Sequence, residues 1–225
     1  MMPQQLSFDL PVRQALGRED FFVSPANAAA VGLIESWANW PSRKLLLIGP
    51  PGAGKTHLTH VWAAVSGATI VPAGTLADAD IPTLASGPVA VEQADAIAGD
   101  QDAEKALFHL HNLVLAEGHS LLITATREPN LWQLDLPDLT SRMQGTPATT
   151  LNAPDDALLA AVLMKQMADR QLSPSPGTIP YLVKRIDRSF EAARDIIERL
   201  DATALSEGAP ITRALAAKVL DKHAR

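Results

Sequence analysis

The chain has 225 residues, 47% apolar and 4% aromatic, with a formal net charge of −6 at pH 7. It has no cysteine, which excludes a disulfide framework and a Cys-ligated zinc site. Residues 1–154 carry a net charge of −7 and residues 155–225 a net charge of +1, so neither half offers the basic stripe of a module that grips a phosphate backbone.

Little direct DNA binding is therefore expected, and a protein partner is favoured. No basic segment followed by an apolar run opens the chain, and no stretch of about 18 apolar residues occurs. A cytoplasmic location without a membrane is the expectation.

Residues 1–17 have scattered apolar side chains without a period and read as a tail. Ala26 to Trp37 places apolar residues at helical spacing, and Asn39-Trp40-Pro41-Ser42 breaks that helix. Lys44 to Ile48 is a short apolar run that suits a buried parallel strand, with Gly49-Pro50-Pro51-Gly52 as its turn. A helix from Lys55 to Val65 follows, then a second strand over Ala68–Val71 and an irregular stretch from Ala73 to Gly87. Pro88–Val91 is the third strand. Gln101 to Glu117 reads as a helix that Gly118 ends. Leu121–Ala125 is the fourth strand, Leu136–Met143 a short helix and Ala148–Leu151 a fifth strand.

After Pro154 the strand pattern stops. Asp155–Arg170 has an acidic start and apolar spacing of three and four, which predicts a helix. Leu172–Pro180 reads as a loop. Helical segments follow over Tyr181–Leu205, broken near Arg188, and over Pro210–Lys222. Strands alternating with helices, then helices alone, predict an α/β fold: a P-loop domain with a parallel sheet flanked by helices, then a small all-helical domain. The expected divisions are 1–17, 18–153 and 154–225. Trp37, Trp40, Trp62 and Trp132 are expected as core or edge anchors. Glu104 and Lys105 read as solvated helix faces. His109 and His111, two apart, do not share a helix face and make no metal pair.

Gly49-Pro50-Pro51-Gly52-Ala53-Gly54-Lys55-Thr56 matches G-x-x-x-x-G-K-[ST] in full. Gly52 and Gly54 can take the dihedrals that turn backbone N–H groups onto phosphate oxygens. The helix behind them directs its partial positive charge at the same anion. Lys55 supplies a point charge, and the Thr56 hydroxyl suits Mg²⁺. Nucleotide binding through Pro51, Gly52, Ala53, Gly54, Lys55 and Thr56 is the expectation. His57 is grouped with them by position, although local packing accounts for it better than a ligand role.

Phe22-Val23-Ser24-Pro25-Ala26-Asn27, followed by Gly49–Leu58, resembles the start of the nucleotide-binding domain in the DnaA-related AAA+ family. The likeness runs from about Asp20 to Asp201. The chain is most similar to the Hda-type regulatory branch, on three features: a tail with Gln-Leu, the run Ile97-Ala98-Gly99-Asp100, and an end soon after the helical lid. The family's initiators carry a further DNA-binding domain, and none is expected in this chain.

The resemblance implies a resident ADP or ATP with Mg²⁺, and Phe22 and Val23 packed on the adenine; core packing is the plain alternative for this pair. It places Glu92 where the magnesium-associated Walker B acid stands, with Asp95 as the alternative acid. Gln93 stands where a hydrolysing relative has its second acid, and Gln cannot take a proton from water. Weak or absent intrinsic ATP hydrolysis is the expectation. Thr126 is similar to the sensor 1 position. Leu136-Pro137-Asp138-Leu139-Thr140-Ser141-Arg142 resembles box VII, which makes Arg142 an arginine finger acting in trans. Arg188 resembles the sensor 2 arginine, with Arg185 or Arg194 as alternatives; an ion pair with Asp187 or Glu191 is the plain reading.

Gln5-Leu6-Ser7-Phe8-Asp9-Leu10 resembles the peptide by which replication proteins dock on the bacterial sliding clamp. Gln5 would satisfy a polar pocket edge while Leu6, Phe8 and Leu10 fill apolar pockets. The implied role is an adaptor on the DNA polymerase III sliding clamp (the beta subunit) that stimulates ATP hydrolysis by the DnaA initiator. A homodimer is compatible with it. The rivals are an ATPase of helicase-loader or clamp-loader type and a DnaA-like DNA-binding fragment.

Overall fold

The computed structural model describes residues 22–221. The clamp-peptide residues Gln5, Leu6, Phe8 and Leu10 lie outside them. Five strands, β1 (Lys44–Ile48), β2 (Thr69–Pro72), β3 (Val89–Glu92), β4 (Leu121–Ala125) and β5 (Ala148–Thr150), form one sheet in the order β2-β3-β4-β1-β5. Every pairing is parallel. Around it run α1 (Ala28–Glu35), α2 (Lys55–Ser66), α3 (Ile81–Leu84), α4 (Gln101–Ala116) and α5 (Pro137–Gln144).

The parallel order follows from sequence. Strands this short and apolar are buried on both faces, so helices must cover both sides. Alternation along β1 divides its residues. Leu46 and Ile48 join one apolar cluster with Leu107, Leu110 and Val114 of α4 and Leu139 and Met143 of α5. Leu45 and Leu47 join the other with Val31 and Ile34 of α1 and Leu58 and Trp62 of α2. Each fully buried Leu contributes about 2 kcal/mol of burial. Trp40 stacks on Trp62 at 5.3 Å, and Trp37 meets the same ring edge-on at 6.3 Å, so three of the four tryptophans close the second cluster.

The register aligns the sheet's functional edge. Lys44 pairs with Leu121 and Ile48 with Ala125, while Val91 pairs with Ile123. The carboxyl ends of β1, β3 and β4 therefore finish side by side.

Four helices follow: α6 (Asp156–Asp169), α7 (Thr178–Val183), α8 (Phe190–Glu207) and α9 (Arg213–Asp221). They enclose a third apolar cluster built on Leu159, Leu163, Met167, Leu182, Ile196 and Leu200. The Asp155 carboxylate caps α6 by accepting from Leu158 N–H at 2.7 Å, and Ser189 Oγ caps α8 by accepting from Ala192 N–H at 3.0 Å. No helix among the described residues is long and apolar enough to cross a membrane.

Three local expectations are corrected. The stretch Ala73–Gly87 contains a 3₁₀ turn, Ala73–Asp78, and then α3. Asp80 starts α3 by accepting from Thr83 N–H at 3.2 Å. The loop expected over Leu172–Pro180 ends early, because α7 begins at Thr178. Pro180 is then the third helical residue, where its missing N–H would have had no partner within the helix. Finally, Glu104 is completely buried rather than solvated. Its carboxylate accepts from three backbone N–H groups, of Gly99, Asp135 and Leu136, at 3.0, 3.1 and 2.8 Å. Two of those donors, Asp135 and Leu136, come from a loop 31 and 32 residues away, which no helical periodicity in α4 could announce.

Candidate functional site

The loop Gly49–Thr56 leaves the end of β1 and enters α2 at Lys55. Gly54 is the N-cap with φ +97°, and Gly52 has φ +70°, so both positions need glycine. Gly52 is also pressed against the helical region: a Cβ there would lie 2.5 Å from Ser189 Cβ. The Gly52 carbonyl accepts from Phe190 N–H at 2.8 Å. The phosphate loop is thus covered directly by the start of α8. No helix-cap side chain occupies the first turn of α2, which leaves the orphan N–H groups that an anion can satisfy.

Lys55 folds back on the loop, its Nζ donating to the carbonyls of Gly49 at 2.6 Å and Pro50 at 2.9 Å. Burial lowers its pKa below 10.5, partly offset by the charges of Asp95 and Glu92. A phosphate would oppose the burial penalty in the way those carboxylates already do. Thr56 is exposed and His57 half-buried in the first turn of α2.

β3 ends at Glu92, as the sequence indicates, and Gln93 then turns the chain sharply at φ +57°. Gln93 N–H donates to Thr124 Oγ1 on β4 at 3.1 Å, fixing the two strand ends together. Glu92 Oε1 is buried and has no hydrogen-bond partner. A buried carboxylate oxygen left alone is costly. Its place within electrostatic reach of Lys55 fits a cation or a water held there. Asp95 is buried and differently committed. It accepts from Thr126 N–H at 3.1 Å and also from the Thr126 hydroxyl in a very short contact, with Arg127 Nε at 3.9 Å. Of the two acids, Glu92 is the one with a fully buried oxygen that no partner satisfies. Thr126 is engaged with Asp95.

Phe22 and Val23 are 37% and 50% exposed, so core packing, the plain alternative for them, does not hold. Their segment is a tight turn. Asn27 Nδ2 donates to the Phe22 carbonyl at 2.8 Å, and Asn27 Oδ1 accepts from Ser24 N–H at 2.8 Å. Arg188 lies one residue before the Ser189 that touches Gly52. Its guanidinium bonds the Asp156 carboxylate at 2.7 Å. The ion-pair partner is thus on α6 rather than at Asp187 or Glu191. Among the described residues no His, Asp or Glu cluster could hold a metal ion by itself.

Arg142 sits elsewhere. It is exposed on α5, whose Leu139 and Met143 face the core. Its charge acts on Lys44 and His111, at the amino end of β1. The phosphate loop leaves the other end of that strand, about 13 Å away by strand rise alone. No hydrogen bond or ion pair engages the Arg142 guanidinium among the described residues.

Sequence reasoning missed the pair beside it. Lys44 and His111 are both buried, with Lys44 Nζ 3.3 Å from His111 Nε2 and His111 Nδ1 3.2 Å from Asn112 Oδ1. A neutral imidazole protonated at Nδ1 satisfies both contacts. Burial, opposed by the Asn112 bond and aided by Lys44 and Arg142, pushes the His111 pKa down to about 4. Burial and the Arg142 charge lower that of Lys44.

No model of a known protein family matches the chain. Solved structures share its fold. Domain III of the replication initiation protein DnaA from Thermotoga maritima matches with a TM-score of 0.80 at 18% identity, over 95% of this chain and 98% of that one. DnaA from Aquifex aeolicus bound to AMPPCP matches with a TM-score of 0.70 at 15% identity, over 81% of this chain and 64% of that one. The RuvB Holliday junction branch migration motor of T. maritima matches with a TM-score of 0.66 at 16% identity, over 86% and 66%. The fold is that of an AAA+ P-loop domain with a helical carboxyl-terminal region, like DnaA domain III.

Proposed function

We propose that this protein is a nucleotide-bound adaptor that offers Arg142 to the active site of a DnaA-type initiator and so stimulates hydrolysis of the initiator's ATP. The reading divides the chain into a clamp-binding tail, residues 1–17, a nucleotide domain, 18–153, and a helical lid, 154–225. It follows the Hda-type resemblance of the sequence.

The single observation that carries it is the position of Arg142: exposed, without an ion-pair partner among the described residues, and at the opposite end of β1 from its own phosphate loop. A guanidinium placed there can meet a phosphate only on another molecule, where it would stabilise charge that develops in phosphoryl transfer. Gln93 after the third strand supports an adaptor over a motor, because it supplies no base for attacking water.

Gly52, Ala53, Gly54, Lys55 and Thr56 would hold the phosphates of an adenine nucleotide, and Glu92 with Thr56 its Mg²⁺. Pro51 lines the same loop. Phe22 and Val23 supply exposed apolar surface for a base, and Arg188 would approach the phosphates from the lid by leaving Asp156. ADP is the preferred resident. Thr126 would act through Asp95 rather than directly. Bound AMPPCP in DnaA of the same fold supports an adenine nucleotide. Gln5, Leu6, Phe8 and Leu10 would dock on the sliding clamp, and hydrolysis would withdraw initiation competence from the partner.

The test mixes ATP-loaded DnaA, DNA-loaded clamp and this protein. Hydrolysis rises with the wild type and stays at the DnaA baseline with Arg142→Ala or with Gln5 and Leu6 both changed to Ala. Equal stimulation by the variants removes the adaptor reading.

A second reading has its own observation. The open Glu92 oxygen near Lys55 suits a metal or a water, which favours intrinsic hydrolysis by a motor-type ATPase. Steady-state turnover by the isolated chain, abolished by Glu92→Gln, would establish that reading.

A further inference from the structure

We propose that Glu104 is a positioning residue that ties the loop behind Glu92 to the start of α5, and so makes the placement of Arg142 respond to the phosphate site. The inference rests on the nucleotide reading above.

Glu104 is completely buried on α4, and its two oxygens are shared between two separate loops. Oε1 accepts from Gly99 N–H at 3.0 Å and from Asp135 N–H at 3.1 Å. Oε2 accepts from Leu136 N–H at 2.8 Å. Gly99 closes the segment that starts after Glu92 at the end of β3. Asp135 and Leu136 lead directly into α5, which carries Arg142.

The α5 terminus needs such a partner. Leu136 is its N-cap and has no side-chain acceptor, so no cap bond forms from within the helix. The first N–H groups of a helix have no intrahelical acceptor, and a negative charge is favourable beside them. Glu104 delivers a carboxylate to that place from α4. A charged acceptor bonding backbone N–H groups is roughly twice as strong as a neutral one.

The same segment is held at a second point. Asp95, between Glu92 and Gly99, accepts from Thr126 at the end of β4. The connection from β4 to α5 is therefore attached to the segment behind Glu92 near both of its ends. It is also stiffened between them, where buried Trp132 donates from Nε1 to the Arg127 carbonyl at 2.7 Å. A displacement of the Glu92 end therefore has two bonded routes toward α5, through Asp95 to Thr126 and through Gly99 and Glu104 to Leu136. A carboxylate serving only as core filler would not join these two loops.

The experiment follows amide exchange of the full chain with and without ADP and Mg²⁺, alongside calorimetry. In the wild type, nucleotide slows exchange at Asp135, Leu136 and the first turn of α5 by about tenfold, a typical size for coupling between sites. Glu104→Gln keeps shape and length but replaces one acceptor oxygen by a donor. It binds ADP within about threefold of wild type, yet its α5 exchange does not respond.

Two outcomes overturn the proposal while leaving nucleotide binding intact: wild-type α5 ignores bound ADP, or Glu104→Gln responds as wild type does. Absence of any ADP binding to the wild type removes the nucleotide reading and this inference with it. Should Glu104→Gln fail to fold by circular dichroism, the wild-type exchange comparison decides alone.

Discussion

At the carboxyl ends of the strands, Lys55 lies within reach of Glu92 and Asp95 and bonds two loop carbonyls. At the amino end of β1, Lys44 lies against neutral His111 with Arg142 nearby, and no acidic group among the described residues offsets their charge. Both ends hold a partly desolvated lysine, but the first is prepared for an anion inside the chain. At the second, Arg142 is exposed and its charge disfavours protonation of both Lys44 and His111. The difference teaches that the two edges of one sheet carry opposite electrostatic settings, acids beside Lys55 at one and a cluster of cationic and neutral groups at the other.

The comparison breaks most sharply at Arg142. Arg142→Ala should lower the stimulated hydrolysis of a DnaA partner by about a thousandfold or more, the scale of an arginine finger. Its own ADP affinity should stay unchanged, because the side chain is remote from Lys55. A parallel loss of ADP affinity would mean that the Arg142 side chain belongs to the chain's own phosphate site.

Gly52→Ala attacks the other edge. The new methyl would stand 2.5 Å from Ser189 Cβ at a φ of +70°, and denaturant unfolding should report a loss of about 2–3 kcal/mol. Adding Ser189→Gly removes the clash but not the backbone strain, so it should recover part of that loss.

The buried histidine sharpens the electrostatic half. His111 titrates near 4 when folded against 6.5 when unfolded. Between those values the unfolded chain binds the extra proton, so stability falls as pH drops from 6.5 to 4. After allowance for solvent screening the loss is on the order of 2 kcal/mol. His111→Gln, whose amide oxygen can still accept from Lys44, should flatten that part of the pH profile. The smallest effect belongs to the cap of α6: Asp155→Ala removes the bond to Leu158 N–H and should lower stability by about 1 kcal/mol in the same assay.

Much of the phosphate edge was legible because its parts are contiguous. The glycine loop, Lys55 and Thr56 stand in eight consecutive positions, and β1 and β4 fall on the residues their apolar runs mark. Glu92 was legible as the end of an apolar strand, although its open oxygen was not. What escaped depends on contacts far apart in sequence. Glu104 looks solvated by its neighbours, yet it meets donors 31 and 32 residues away. Arg188, in the bend before α8, finds Asp156 on α6 rather than a carboxylate beside it. Lys44 opens a strand as an ordinary edge charge, and only the fold brings His111 to it from 67 residues on. Pro180 suggested a loop because its tolerance inside the first helical turn depends on where the helix starts.

The central claim is that the loop ahead of Lys55 binds an adenine nucleotide, and calorimetric titration of ADP and ATP, with Mg²⁺, tests it most directly. The account predicts saturable binding by the folded wild type, weakened at least about tenfold by Lys55→Ala through loss of a charge-assisted contact. No heat of binding to the folded wild type, or equal affinity in Lys55→Ala, would contradict it.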